Sequence, residues 1–231
     1  MPNWVYNTLT VEGNPESVIK LKNQLNTPFK RNHDQWNPET GNMEVKEYAY
    51  DNPIFSFWNV IKPTNMAVYD LQKDPNEDPK KLFSGDNWYD WNNRNWGTKW
   101  DVAVSNDTKY AETELLHDEA NGENHVLVYR YNTAWSPATP VLEILSAQYP
   151  DLLLTLKYEE ETGWGGEDEF VNGEHIEGAS WNWACRECDY KETNEPPYCE
   201  TCDFDMCPSC GWGEPMDEDR EKCEIHHTVI A

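Results

Sequence analysis

A run of β-forming residues, Trp4, Val5, Tyr6, Thr8, Leu9, Thr10 and Val11, predicts a strand that ends at the turn Glu12-Gly13-Asn14. Pro15 then takes a first helical position, and Val18, Ile19, Leu21 and Leu25 recur at helical spacing as far as Thr27-Pro28. After a polar stretch, Ile54 to Ile61 reads as a second strand stopped by Pro63, followed by an acidic, lysine-containing loop from Asp74 to Lys81. Trp100 to Val104 and His125 to Tyr131 are the next strands, separated by a polar segment carrying Glu112, Glu114, Asp118 and Glu119. A second helix begins at Ser136-Pro137, sets Val141, Leu142, Ile144 and Leu145 on one face, and ends before Tyr149-Pro150. Leu152 to Tyr158 follows as a strand. The order strand-helix, strands, helix-strand is the plan of a ferredoxin-like α+β fold, with helices covering one face of an antiparallel sheet.

Three segments resemble a known family. Pro2-Asn3-Trp4 with Asn7 to Val11, Asn95-Trp96-Gly97-Thr98-Lys99-Trp100, and Thr133-Ala134-Trp135-Ser136-Pro137 with Tyr149-Pro150 are similar, in this order, to the YubB-type ferredoxin-like proteins of phages and plasmids. The stretch from Glu159-Glu160-Glu161 to Gly166 extends the likeness to about residue 170. The resemblance implies the fold and a mobile-element origin, and it implies no activity and no catalytic residue. Val5 stands where relatives often carry Cys, and a Cys-rich tail is not a general property of the family.

Composition divides the chain near Trp183. All seven Cys lie between Cys185 and Cys223, which predicts a body over 1–183 and a separate zinc-binding unit over 184–231. The chain of 231 residues carries 18 Lys and Arg against 43 Asp and Glu, a formal charge of −25. That charge opposes binding to a nucleic-acid backbone, whose phosphates need Lys and Arg, and instead favours a basic protein partner. The opening Met1 to Leu9 lacks a basic segment followed by an apolar one, and nowhere do about 18 apolar residues run together, so a soluble, unexported, cytoplasmic protein is expected.

Cys185-x2-Cys188, Cys199-x2-Cys202 and Cys207-x2-Cys210 are three chelating pairs, followed by Cys223, His226 and His227. A CxxC turn presents two thiolates to one ion, and four Cys or His ligands close a tetrahedral Zn²⁺ site. Seven Cys and one His fill two such structural sites, leaving one of His226 and His227 over. Either one ion takes Cys185, Cys188, Cys207 and Cys210 and the other Cys199, Cys202, Cys223 and a His, or the pairs are used in sequence order. Cys202-Asp203-Phe204-Asp205-Met206-Cys207 resembles the signature of ZZ-type zinc fingers, and the resemblance implies the first, cross-braced wiring and a protein-interaction module. The tail departs from that pattern in its spacing from Cys202 to Cys207 and in carrying Cys223 where a His is usual. A [4Fe–4S] cluster would want four Cys and typically a Cys-Pro after the run. So polar a segment of this length cannot bury enough apolar area to fold without an ion.

Other chemistry is weaker. Trp88, Trp91, Trp96 and Trp100 fall close together and could cage a cation or stack on bases, although core and loop packing is the expected role of such aromatics. Glu159, Glu160, Glu161, Glu167, Asp168 and Glu169 crowd one hairpin and are read as a solvated face rather than an acid–base pair. No phosphate-binding, nucleophile-elbow, HExxH or dinucleotide motif occurs, and His33, His117, His125 and His175 lie apart in sequence. The expected function is non-enzymatic: binding of a basic host or DNA-handling protein, with the zinc unit as interaction module. The competing readings are an enzyme acting on nucleotides or nucleic acid through a Trp- and Glu-rich sheet face, and a DNA-mimic inhibitor.

Overall fold

A computed structural model describes residues 2–69, 87–107 and 113–184, together with the short strand pieces 191–192, 198–199 and 204–205. Strand β1 (Trp4–Gly13) leads into helix α1 (Pro15–Leu25), whose start is fixed by Asn14: its side-chain oxygen accepts the N–H groups of Glu16 and Ser17, which no helical carbonyl can reach. Strands β4 (Glu114–Asn121) and β5 (Asn124–Ala134), helix α4 (Thr139–Gln148) and strand β6 (Leu152–Glu160) complete a β-α-β-β-α-β unit. The sheet order is β4-β5-β1-β6, extended by β7 (Gly165–Val171) and β8 (Glu174–Trp181), with every neighbour antiparallel. This is the ferredoxin-like arrangement, lengthened by a hairpin.

Alternation sets the two faces of the sheet. Val5, Leu9 and Val11 point to one side of β1 and Tyr6, Thr8 and Thr10 to the other. Leu9 and Val11 of the first set join Leu127 of β5 and Leu154 and Leu156 of β6 in one core with Val18, Leu21 and Leu25 of α1 and Val141, Leu142 and Leu145 of α4. Each such side chain contributes about 1.5–3 kcal/mol through removal from water. Ile19 departs from the helical face expected of it and is exposed, because the buried stripe runs through Val18, Leu21 and Leu25 instead.

The connection from α1 to β4 contains a hairpin, β2 (Phe29–Asn37) and β3 (Asn42–Tyr50), and two short helices, α2 (Met66–Tyr69) and α3 (Trp88–Asn95). It packs aromatic rings on the helix-covered face, where Phe55 stacks on Tyr131 at 5.0 Å and Trp91 meets Trp96 edge-on at 5.5 Å. Two expected strands are absent here. Ile54 to Ile61 contains only a 3-10 turn at Phe57–Asn59, and Trp100 to Val104 is irregular. In place of a ladder, one carboxylate takes up backbone donors from both segments, and the remaining donors bond locally or to Asn26. Asp101 accepts the N–H groups of Phe57 at 2.9 Å, Trp58 at 3.1 Å, Val102 at 2.8 Å and Ala103 at 3.3 Å, and the Ser56 hydroxyl at 2.9 Å. Burial pushes the Asp101 carboxyl above its ordinary range, against the pull of these donors and of Arg31.

The second helix also starts later than expected, at Thr139 rather than Ser136. Trp135 adopts a left-handed φ of 70°, and the Ser136 hydroxyl donates to Gly97 O, so the chain is held away from helical geometry until Ala138. The acidic loop from Asp74 to Lys81 lies outside the described residues.

His33 of β2 faces the Tyr50 hydroxyl at 3.1 Å and the ring of Tyr48. Burial, and secondarily Arg31, push its imidazole down to about 4. An unfolded histidine binds its proton near pH 6.5, so the contribution of neutral His33 is complete above about 6.5 and is lost as pH falls from there to about 4. With screening at this half-buried site the loss is about 1 kcal/mol. NMR titration is expected to find His33 neutral at pH 5.5; a midpoint near 6.5 would contradict the burial argument.

Candidate functional site

Of the nine predicted metal ligands, only the backbone of Cys199 lies among the described residues; Cys185, Cys188, Cys202, Cys207, Cys210, Cys223, His226 and His227 lie outside them. What is described of the tail is two short pairings. Trp183–Ala184 (β9) pairs antiparallel with Lys191–Glu192 (β10), and Tyr198–Cys199 (β11) pairs with Phe204–Asp205 (β12). In sequence, Cys185 and Cys188 fall between the paired strands of the first, and Cys199 and Cys202 fall at and beyond the end of one strand of the second. Among the described residues, no cluster of three or more His, Cys, Asp and Glu is placed to hold a metal ion.

The Trp-rich segment divides into two populations. Trp91 and Trp96 are buried, as expected of core packing, whereas Trp88 and Trp100 are 38% and 39% exposed. Trp100 does not stand alone. Its ring lies 6.5 Å from that of Trp135 at an interplanar angle of 26° and 6.1 Å from that of Trp4, and Tyr89 meets Trp135 edge-on at 6.5 Å. The ammonium group of Lys99 sits among them, 4.3 Å from the centroid of Trp100, 5.0 Å from Trp135 and 5.9 Å from Tyr89. All three distances are within reach of the cation–π attraction.

Backbone contacts hold this cage in place. Thr98 Oγ1 donates to Ala134 O at 3.0 Å and accepts from Ala134 N at 3.1 Å, locking the segment before Lys99 to the end of β5. Asn92, buried in α3, donates to Lys99 O at 2.8 Å. Trp135 N donates to Asn3 O at 2.9 Å, which stabilises the left-handed backbone that a bulky residue adopts only at a cost of about 1–3 kcal/mol. Gly97 has a φ of 81°, and a Cβ there would strike the Pro140 ring. The three segments that carry the family resemblance thus meet at one point. Sequence reasoning picked out Trp88 and Trp100 but did not join Lys99 and Trp135 to them, because the Thr98–Ala134 bonds that bring them together span a separation of 36 residues.

The carboxylates of the Glu-rich hairpin do not converge. Strand alternation sends Glu167 and Glu169 to the open face of the sheet and Asp168 to the helix-covered face, where its Oδ2 lies 3.1 Å from His175 Nε2. Glu160 is buried. Burial opposes its charge, but the hydroxyl and N–H of Thr162 and the Asn3 side chain together hold it below the ordinary carboxylate range. His125 likewise gains a partner through register, with Asp118 Oδ1 2.7 Å from its Nε2, and Asp118 is held low by Lys22 and, less strongly, by His125. These histidines are partners within the body rather than a group.

The open face has its own character. Thr8, Thr10, Thr155, Val126 and Val128 form its centre, with Tyr6 exposed beside them. One rung runs Glu114, Arg130, Thr8, Lys157, Glu167 across five strands, and Arg130 donates to Glu114 at 2.6 Å. Glu12, Glu119, Glu159 and Glu169 surround it, so carboxylates outnumber the two cations. On the covered side, a cavity of about 550 Å³ is lined by Lys22, Asn26, Ile54, Thr113, Leu115 and Tyr129 among others. No helix among the described residues is long and apolar enough to cross a membrane.

One family model agrees with the ferredoxin-like plan over part of the chain. Residues 114–200 match the family model described as a ferredoxin-like domain in Api92-like protein. The matched stretch starts at β4 and so excludes β1, which occupies the middle of the sheet. Among solved structures, the crystal structure of a protein api92 from Yersinia pseudotuberculosis is similar at 8% identity and a TM-score of 0.43, covering 80% of this chain and 100% of that one. No curated protein matches the chain.

Proposed function

We propose that this protein is a non-enzymatic binding protein, an accessory factor of a phage or plasmid, whose ferredoxin-like body docks a basic protein in the host cytoplasm. The observation that carries this reading is the open sheet face. It is broad, its centre is small and weakly polar, and its rim carries more carboxylates than cations. A face of that kind attracts a positively charged surface at long range and offers no phosphate-neutralising array to a nucleic acid. The net charge of −25 acts in the same direction.

In this proposal residues 184–231 form a separate module built around two structural Zn²⁺ ions, held by Cys185, Cys188, Cys199, Cys202, Cys207, Cys210, Cys223 and one of His226 and His227. The paired strands flanking the first two CxxC segments support it, since short hairpins are a fitting frame for chelating turns. The ions would close the module's fold, and its acidic Asp203 and Asp205 would add to the partner surface.

The test is capture from host lysate at low salt. A stoichiometric basic protein is expected, with affinity falling at least about tenfold between 50 and 300 mM salt as exposed charges are screened. Reversing the rim with Glu167→Lys and Glu169→Lys is expected to weaken capture by a similar factor. Turnover of a nucleotide substrate, or capture indifferent to salt, would overturn the proposal.

A further inference from the structure

We propose that Tyr89, Trp100 and Trp135 form an aromatic cage for the ammonium group of a lysine side chain on the basic partner, which enters by displacing Lys99. This rests on the reading of the protein as a binder of basic partners and names the point of capture. The cage already holds a cation of this chemistry: Lys99 Nζ is 4.3, 5.0 and 5.9 Å from the three ring centroids. Its geometry is therefore suited to an ammonium group, and the attraction of a π face for a cation requires no specific anion.

The rings are also available. Trp100 and Trp135 are 39% and 43% exposed, although indoles so large are ordinarily covered. Their positions are fixed by the Thr98–Ala134 and Asn92–Lys99 hydrogen bonds and by the strained Trp135 backbone, so the cage is present before any ligand arrives. Lys99, by contrast, reaches the site on a flexible side chain that can swing into water. Trp4 packs on Trp100, and alternation puts Trp4 on the same side of β1 as Tyr6. The cage thus continues the open acidic face, and a partner steered there by charge brings its lysines to the rings.

Two probes test this on the full chain: tetramethylammonium chloride, followed by the ring-current shift of its methyl NMR signal against matched sodium chloride, and a fluorescein-labelled oligolysine peptide followed by anisotropy at 150 mM salt. Lys99→Ala empties the cage and is expected to strengthen tetramethylammonium binding about tenfold, the scale of one cation–π site. Lys157→Ala removes the same charge from the open face and is expected to leave tetramethylammonium binding unchanged, which separates vacancy from net charge. Trp135→Ala is expected to abolish the tetramethylammonium shift and weaken the peptide about tenfold, with Trp135→Phe falling between them and guarding against misfolding. No shift with Lys99→Ala, or equal effects of Lys99→Ala and Lys157→Ala on tetramethylammonium binding, would overturn the cage. Salt-dependent capture of a partner that Trp135→Ala leaves intact would reject the cage while keeping the binding role. A cage that holds tetramethylammonium in a protein that captures no basic partner would do the reverse.

Discussion

Asp101→Ala is expected to lower the stability of the body by about 3–5 kcal/mol in urea denaturation, enough to unfold a marginal domain. The carboxylate accepts four backbone N–H groups and the Ser56 hydroxyl, and its loss leaves these donors enclosed among Phe57, Trp58 and Val102 without acceptors. Each enclosed donor left unpaired costs about 1–3 kcal/mol, partly recovered where water can enter. Asp101→Asn keeps one oxygen but turns an NH₂ group toward donors, and so is expected to fall between alanine and wild type. Ser56→Ala removes a single hydroxyl contact and is expected to cost about 1 kcal/mol. An alanine variant within 1 kcal/mol of wild type would show that these loops find other partners.

Removal of zinc is expected to have the other large effect, confined to the tail. Elemental analysis of purified protein is expected to give two zinc atoms per chain, and Cys199→Ser to give one while disordering its module. Structural zinc in small Cys-rich modules supplies about 10–16 kcal/mol of binding energy, which is the folding energy of such a unit. Chelation is therefore expected to abolish the amide protection of residues 184–231 while leaving the melting of the body unchanged, since the body contains no Cys. A metal-free product with an intact tail, or a brown iron–sulfur chromophore, would reject the assignment.

The elements legible in the sequence were those whose own residues dictate them. Trp4 to Val11, the helix starting at Pro15 and the strands around His125 and Leu152 carry enough β-branched, aromatic or periodic apolar residues to form regardless of partners. Strands β4 and β8 were not legible. Glu114, Asp118 and Glu119 read as a polar connection and the Glu174–Trp181 stretch carries no strand signal, yet each strand lies at a sheet edge, where one flank bonds to a neighbour and the other meets water. The hairpin β2–β3 hid in the same way, with polar residues on both of its faces. The reverse error befell Ile54 to Ile61 and Trp100 to Val104, whose apolar residues serve the core without joining a ladder because Asp101 and local carbonyls supply the acceptors.

By itself, the sequence determined the order of the main strands and helices, the ferredoxin-like plan, the acidic character and the concentration of every cysteine beyond Trp183. These follow from local spacing and from composition, which a chain carries whatever its fold. Only the tertiary structure decided which tryptophans are core and which are surface, that Asp168 and Glu169 face opposite ways, and that Lys99 lies against both Trp100 and Trp135. Those facts depend on strand register and on hydrogen bonds such as Thr98 to Ala134, which join residues far apart along the chain and leave no trace in local pattern.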